Sequence, residues 1–331
     1  MNKRRFLVLA GLVALAIAVM ANFGYINQFL KLLRQVRWYV FPLVIAIQGL
    51  SYYANAKYYQ AFFNIFNYHI KTGRLYRAAL AINFVNQVFP SGGVSGATFL
   101  ARELDGDVPG GKATLAQLVR YIFTFVSFLA VLVVGVILLL VGDDLNQVTV
   151  RLTLLFLLVI VVVALLLVTV VADRARVEGL VLKLIRPLNA LVGRFRRRRR
   201  ALLTEAAVGR FFDEFYGGYY LLLEEKGHWR RPLLYALAGN VAEVATVYVV
   251  FLAFGAAINP GIVIAGYTLA NIVSLAAVFT SGLGVFEAAM ITAFAALGVP
   301  FALAFSVTVV YRVLNLALYL PPGFYFYKQS L

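Results

Sequence analysis

Charged side chains stand inside apolar segments of this sequence, where a charge needs a physical reason. Arg120 and Arg312 lie within long apolar runs, and Glu243 and Glu287 lie within two others. Each costs at least about 2.5–3.5 kcal/mol at the centre of a membrane helix, so each should be paired or should face water. Because the planar guanidinium group can donate two parallel hydrogen bonds, arginine suits a phosphate. These residues predict either a site for a phosphate-bearing ligand or a structural ion pair of Glu287 with Arg312.

Polar neighbours share helix faces with these charges. Arg312, Asn315 and Tyr319 recur at i, i+3 and i+7, so a helix presents them on one face. Asn240 and Glu243 share a face in the same way. The spacing therefore predicts polar stripes on otherwise apolar helices.

Two glycine-rich breaks interrupt apolar runs at corresponding places in the chain. Residues 81–96 read AINFVNQVFPSGGVSG, and residues 270–288 read ANIVSLAAVFTSGLGVFEA. Each run opens near an asparagine (Asn83 or Asn271), and each is followed by a long apolar segment that contains adjacent arginine and tyrosine residues. Paired, glycine-interrupted hydrophobic segments in two halves of a chain indicate the binding site of a transporter.

The breaks have the chemistry of an anion site. Glycine lets the backbone turn sharply and approach a ligand, and a helix that starts after the turn directs free N–H groups at the ligand. The alternative is that the glycines only allow close helix packing. The candidate substrate-binding residues are Asn83, Pro90, Ser91, Gly92, Gly93, Arg102, Arg120, Asn240, Glu243, Ser281, Gly282, Gly284, Glu287, Tyr311 and Arg312.

The elements that must position these residues are membrane helices. Hydrophobic residues make up 63% of the 331-residue chain and charged residues 13%, against roughly 45–50% and about 25% in soluble proteins. Segments such as 152–171 carry no charge and are long enough to cross a hydrocarbon core of roughly 30 Å. They lack the alternation of barrel strands. We predict an all-α polytopic membrane protein with six full spans and two re-entrant hairpins arranged as inverted repeats.

Hydropathy places the spans, and positive charge orients them. Full spans are predicted at about 6–23, 38–56, 113–141, 150–172, 231–257 and 301–327, and re-entrant hairpins at about 78–101 and 262–297. The basic segment 173–231 marks the cytoplasmic side. We therefore predict a plasma-membrane protein with both termini in the cytoplasm. The first repeat is predicted at about 78–141 and the second at about 262–327.

The excess of positive charge predicts contact with lipids. The net charge is +16, and a run of arginines lies within the cytoplasmic segment. Basic residues next to a membrane attract anionic headgroups by about 1 kcal/mol each, and the apolar residues of 180–192 have the spacing of a helix lying on the bilayer. We expect anionic lipids at this surface and no nucleic acid.

Other features narrow the chemistry further. The basic residues before the first apolar run resemble those of a signal peptide, but we favour an uncleaved first span because the run is long and no clear cleavage site follows. The chain has no cysteine, and His69 and His228 lie far apart in sequence. We therefore expect no metal site built on histidine or cysteine, and no cofactor.

The arrangement resembles the lysylphosphatidylglycerol synthase transmembrane family over nearly the whole chain. The resemblance rests on the sequences PSGGVSG at 90–96 and SGLGVFEA at 281–288, and on a final helix in which Tyr311-Arg312 precedes a Pro-Pro-Gly at 321–323. In larger relatives this domain is joined to a soluble aminoacyl-transferase domain and moves a charged lipid across the bilayer. The resemblance implies lipid translocation without synthesis, since the chain stops at Leu331 with no soluble domain.

Alternative functions stay open. Glu103, Asp105 and Asp107 could bind a divalent metal in a membrane-embedded transferase that acts on a lipid-linked substrate, although acidic residues among glycines and prolines are more often a solvated turn. An accessory subunit of lipid or cell-envelope synthesis is another alternative. Glu243 or Glu287 could carry a coupling proton. We expect a translocator that is not an enzyme, and the sequence leaves its lipid, its energy source and any homo-oligomer undetermined.

Overall fold

The helices of the protein follow the apolar segments of the sequence. The computed structural model describes residues 31–89, 91, 93–141, 158, 162, 173, 175–179, 181, 183, 205–224, 226–276 and 284–330. In this part of the chain the α-helices of ten or more residues are α1 (Phe41–Ile65), α2 (Thr72–Val88), α3 (Val94–Glu103), α4 (Gly110–Val141), α5 (Glu205–Glu224), α6 (Arg230–Ala253), α7 (Pro260–Ala276), α8 (Val285–Ala296) and α9 (Phe301–Gln329). Short 3-10 turns at Trp38–Val40 and Lys226–Trp229 precede α1 and α6.

Three helical segments of the described chain are long and apolar enough to cross a membrane. They are Gly110–Val141, Gly227–Ala253 and Phe301–Gln329. They coincide with three of the predicted spans, so the prediction of an all-helical, multi-pass membrane protein is confirmed at this level. The predicted spans 6–23 and 150–172 lie outside the described residues, as does most of the basic segment.

Helix α1 corresponds to the predicted span 38–56 but is longer and more polar. It continues to Ile65 and is not among the three apolar helices. The reason is visible in its buried face, where Gln48 and Ser51 are enclosed by protein. Because these polar groups point into the protein, they need internal hydrogen-bond partners, and they help to form the site described below.

Two groups of four helices pack against each other in a reciprocal pattern. In the first group α1 is followed by α2, the short α3 and the long α4; in the second α6 is followed by α7, the short α8 and the long α9. Helix α1 packs along α6, while α2 packs along α9 and α7 packs along α4. Each short helix lies between its two neighbours in sequence. The second helix of each group therefore packs against the last helix of the other group. The inverted orientation of the two groups in the membrane and the boundaries of the repeats stay predictions.

Aromatic side chains fill the space between the helices. In the first group, the largest fully buried side chains include Tyr58, Tyr59, Phe62 and Phe63 of α1. In the second, Phe251 meets Phe294 edge to face with ring centroids 5.1 Å apart, an arrangement worth about 0.5–1.5 kcal/mol beyond the buried area. These two clusters hold the helices on either side of a polar interior.

Helix α5 packs on the beginning of α4. Its buried residues Phe212, Phe215 and Tyr216 belong to the same core as α1. Gly111 permits the close approach, because a Cβ atom there would lie 2.6 Å from the backbone nitrogen of Phe215. The carboxylate of Glu214 also accepts a hydrogen bond of 3.1 Å from the Gly111 amide.

Candidate functional site

Both glycine-rich breaks separate helices, and both end at a glycine with a left-handed backbone angle. Gly93 has φ 91° and directly precedes α3; Gly284 has φ 82° and directly precedes α8. Glycine adopts such angles without steric cost. At Gly93 an added Cβ would also overlap the hydroxyl group of Tyr121 on α4. The predicted interruption of both apolar runs is thus present.

Side chains of the protein satisfy the first amides of α3. The amide of Ser95 donates to the Ser91 hydroxyl at 2.8 Å. The amide of Gly96 donates to the Asn86 side-chain oxygen at 2.9 Å. These two N–H groups therefore have protein acceptors, whereas the sequence had predicted that the N–H groups after the break would be free for a ligand.

Glu287 links the second break to helix α9. One oxygen of Glu287 accepts a hydrogen bond from the Gly284 amide at 2.6 Å, which caps α8. The other oxygen lies 2.6 Å from Nε of Arg312 on α9. Arg312 and Glu287 therefore form an ion pair, but the geometry at Nε is not that of a hydrogen bond. The guanidinium carbon of Arg312 also lies 5.2 Å from the ring centroid of Phe286. The ion pair considered from the sequence is present.

A polar cavity of about 350 Å³ lies between the two groups of helices. The predicted site residues that line it are Asn83, Arg120, Asn240, Glu243, Tyr311 and Arg312. Asn271, Asn315 and Tyr319, which the sequence patterns had singled out, line it as well. The structure therefore brings residues from α2, α4, α6, α7 and α9 into one site.

The remaining predicted site residues do not line the cavity. Ser91, Gly93, Gly284 and Glu287 lie at the two breaks. Arg102 is exposed near the end of α3 and contributes nothing to the cavity. The predicted residues Pro90, Gly92, Ser281 and Gly282 lie outside the described residues.

Arg120 has neutral partners. Its Nη1 atom donates to the Tyr59 hydroxyl at 3.2 Å, and its Nη2 atom donates to the Asn55 side-chain oxygen at 2.9 Å. Tyr59 in turn donates to the side-chain oxygen of Gln117. Within the described residues no carboxylate forms a direct ion pair with Arg120. Its hydrogen bonds go to neutral groups, and the Glu243 carboxylate of the same cavity acts on its charge only at longer range.

Among the described residues that line the cavity, Glu243 is the carboxylate, and three neutral donors hydrogen-bond to it. Gln48 and Ser51 of α1 each donate to one of its oxygens at 2.8 Å. The Tyr311 hydroxyl of α9 donates to the other oxygen at 3.0 Å. Thr246 completes this network by donating to the side-chain oxygen of Gln48 at 3.1 Å. The network joins α1, α6 and α9 at the wall of the cavity.

Asn240 has a structural role beside the cavity. Its amide nitrogen donates to the carbonyl oxygen of Thr124 at 3.1 Å and also to the Ser127 hydroxyl. Both acceptors belong to α4, so this side chain connects α6 to α4. On α7, Asn271 donates at 2.9 Å to the carbonyl oxygen of Tyr267 in its own helix.

Comparison with known protein families places the chain. The model of the lysylphosphatidylglycerol synthase transmembrane region matches residues 5–323. The chain belongs to this family. The expected resemblance is confirmed over nearly the whole sequence, and the chain is a multi-pass membrane protein. No curated protein and no solved structure matches it.

In this family member the acidic turn after α3 contacts an arginine. Arg74 donates to a side-chain oxygen of Asp107, and its Nε atom lies 3.8 Å from a carboxylate oxygen of Glu103. Asp105 accepts a hydrogen bond of 3.1 Å from the next amide, that of Gly106. The described residues contain no group of three or more histidine, cysteine, aspartate or glutamate side chains that could hold a metal ion.

Sequence reasoning missed the contribution of α1 to the site. Ser51, Tyr52, Asn55 and Tyr58 line the cavity from this helix. A signal was available, because Gln48, Tyr52, Asn55 and Tyr59 recur at i, i+4, i+7 and i+11 within an apolar segment, which is the spacing of one helix face. Asn86 and Gln87 of α2, four positions or fewer beyond Asn83, were missed as well.

Proposed function

We propose that this protein is a lipid translocase, which moves a phospholipid or another phosphate-containing lipid between the leaflets of a bilayer. The headgroup would occupy the polar cavity while the acyl chains stay in the membrane. Membership of a transmembrane family named for lysylphosphatidylglycerol synthase supports a lipid as cargo. Hydrogen-bonding groups inside a membrane domain are tolerated where they line a wet or ligand-filled cavity.

The observation that carries the proposal is the state of Arg120. Its guanidinium lines the cavity and donates to the neutral oxygens of Tyr59 and Asn55. A cation inside a membrane domain is costly without a directly paired opposite charge, and in membrane proteins such residues mark ligand or ion pathways. A phosphate in the cavity would supply that charge through charge-assisted hydrogen bonds, which are about twice as strong as neutral ones.

Arg312 gives the cavity a second cation on the opposite group of helices. Its charge is partly balanced by Glu287 at the break. Glu243 already accepts three hydrogen bonds from neutral donors. We infer that a headgroup phosphate binds between Arg120 and Arg312, and that Arg312 exchanges the carboxylate of Glu287 for the phosphate during transport.

We propose translocation rather than covalent chemistry. Arg74 is paired with two of the acids that a metal-dependent transferase would have used. A purified preparation separates the classes: redistribution of an unchanged lipid between leaflets supports translocation, whereas a covalently altered lipid would identify an enzyme. An accessory subunit would show neither activity by itself.

Substitution of Arg120 tests the site. We expect Arg120→Gln to reduce lipid movement in proteoliposomes at least about tenfold, since loss of one charge-assisted contact is worth about 1.5–3 kcal/mol. The matched control is Arg231→Gln, which removes an exposed arginine at the start of α6. Equal transport by the two variants, at equal amounts of folded protein, would refute the assignment of Arg120 to the headgroup.

We also propose an orientation for the protein in the membrane. Both termini and the basic segment 173–231 are assigned to the cytoplasm, where anionic lipids would contact the arginines. The two broken hairpins then enter from opposite sides of the plasma membrane. The reciprocal contacts of α2 with α9 and of α7 with α4 support such a two-fold arrangement.

A further inference from the structure

Carboxamide side chains dominate the polar lining of the cavity. Besides Asn240, they are Asn55, Asn83, Asn86, Gln87, Asn271 and Asn315. Amides are neutral, and each offers both a donor and an acceptor. So many carboxamides in a membrane domain cost free energy unless their hydrogen bonds are made. The amide donors and acceptors that lack a protein partner therefore indicate which groups a ligand should offer.

Several of these amides have hydrogen-bonding capacity to spare. The Gln87 oxygen accepts from the Tyr319 hydroxyl at 2.8 Å, but its buried nitrogen has no hydrogen-bond partner. Asn86 uses its oxygen to accept from the Gly96 amide. Asn83 and Asn315 line the cavity and make no side-chain hydrogen bond to any described residue. An unsatisfied buried donor destabilises the protein, and a ligand with several oxygens would remove that cost.

The carboxylates near the cavity are occupied. Glu243 accepts from Gln48, Ser51 and Tyr311. Glu287 pairs with Arg312 and caps α8. Both carboxylates therefore already accept hydrogen bonds from the protein, and an ammonium group on a headgroup would lie near two arginines. Like charges in a site of low dielectric constant oppose binding strongly.

We propose, building on the translocase function above, that the cavity selects lipids whose phosphate carries a neutral, hydroxyl-rich headgroup such as glycerol or a cyclic polyol. Arg120 and Arg312 hold the phosphate. Asn83, Asn86 and Gln87 on α2 and Asn315 on α9 exchange hydrogen bonds with the hydroxyl groups. Each hydroxyl can donate to one amide oxygen and accept from one amide N–H, which matches a lining of carboxamides. Lipids whose headgroups end in an ammonium group are disfavoured.

Headgroup selectivity in proteoliposomes tests the proposal. The full-length protein is reconstituted into phosphatidylcholine vesicles that contain a trace of acyl-labelled phosphatidylglycerol, phosphatidylinositol, phosphatidylethanolamine or lysylphosphatidylglycerol. Loss of label from the outer leaflet is measured with a membrane-impermeant quencher. We expect the two polyol lipids to move at least about tenfold faster than the two ammonium lipids, since a site that hydrogen-bonds hydroxyl groups rejects analogues lacking them.

Variants connect the selectivity to the amides. Asn83→Ala and Asn315→Ala should each slow phosphatidylglycerol movement severalfold and slow phosphatidylethanolamine movement much less, so the ratio of the two rates falls. The matched control is Asn64→Ala, which removes an exposed asparagine of α1 outside the cavity. Loss of transport for all lipids in equal proportion would instead show a structural role for the amides and overturn their assignment.

The remaining outcomes separate this inference from the proposed function. Equal rates for all four lipids, or faster ammonium lipids, would overturn the headgroup preference and leave translocation intact. If no lipid moves faster than in protein-free vesicles, both proposals fail. Uptake of radiolabelled glycerol 3-phosphate into the vesicles would show that a soluble organophosphate, rather than a lipid, supplies the polyol phosphate, and it would overturn the lipid assignment.

Discussion

Nε of Arg312 lies 2.6 Å from a carboxylate oxygen of Glu287, and this contact fastens the last long helix to the second glycine-rich break. The side chains of the two residues are 17% and 20% exposed, so solvent screens the pair only in part. Arg120, the arginine of the other group of helices, donates to neutral oxygens instead. The two arginines of the cavity therefore differ in what a phosphate would displace.

Removal of Arg312 should affect both stability and transport. In Arg312→Ala the carboxylate of Glu287 is left without its cation, a loss on the order of 3–5 kcal/mol for a buried pair. Denaturation in detergent measures that loss, and a proteoliposome assay measures transport. The double variant Glu287→Gln with Arg312→Gln removes both charges, so it should recover most of the stability but none of the transport. A double variant that transports at the wild-type rate would show that the pair serves only packing.

A conservative change separates charge from geometry at the same position. Arg312→Lys keeps a cation near Glu287, so we expect nearly normal folding. Lysine lacks the planar fork that binds phosphate through two parallel hydrogen bonds, and it would lose the guanidinium contact with the Phe286 ring. Transport should therefore fall well below that of the wild type at equal stability. Full activity of the lysine variant would mean that a point charge suffices.

Local patterns in the sequence predicted much of the site. Polar residues that interrupt apolar segments are conspicuous, and this is why Arg120, Glu243 and Arg312 could be assigned to a common polar interior. The breaks were predictable for the same reason, because Gly93 and Gly284 supply backbone angles that other residues avoid.

Features that depend on tertiary contacts were not predictable. The pairing of α1 with α6 brings Gln48 and Ser51 to Glu243, and nothing local in the sequence indicates that pairing. Arg102 was among the predicted site residues, but it lies near the far end of α3, where its side chain is exposed.

The two break glycines should differ in their tolerance of a methyl group. Gly93→Ala meets both an unfavourable φ and the ring of Tyr121, whose Cζ atom would lie 2.7 Å from the new Cβ. Gly284→Ala meets an unfavourable φ, but no described atom lies within 4 Å of its Cβ. The backbone term alone costs roughly 1–2 kcal/mol. We expect the melting temperature to fall more in Gly93→Ala than in Gly284→Ala; the reverse order would contradict the contact with Tyr121.

Cysteine labelling tests the proposed orientation. The sequence contains no cysteine, so a single introduced cysteine gives an unambiguous signal. A cysteine replacing Arg197 should resist a membrane-impermeant reagent in intact cells and react after the cells are opened, because positively charged segments stay in the cytoplasm. A cysteine replacing Gly255, in the turn after α6, should react in intact cells. Labelling of position 197 in intact cells would reverse the assignment.

The Glu243 carboxylate should contribute strongly to stability. Glu243→Ala would leave the donors of Gln48, Ser51 and Tyr311 without their common acceptor. Each such loss costs about 1–3 kcal/mol when water cannot replace the acceptor, so the melting temperature should drop clearly. Glu243→Gln keeps one oxygen acceptor and a similar shape, so it should destabilise less.

An exposed acid provides the control for that series. Glu224 lies at the end of α5 and is exposed, so Glu224→Ala should leave the melting temperature nearly unchanged. If Glu243→Ala is as stable as this control, then Glu243 does not hold α1, α6 and α9 together. If Glu243→Gln is stable but loses a dependence of transport on a pH gradient, the carboxylate carries a coupling proton. Transport by Glu243→Gln that still responds to a pH gradient would exclude that role, because an amide cannot titrate.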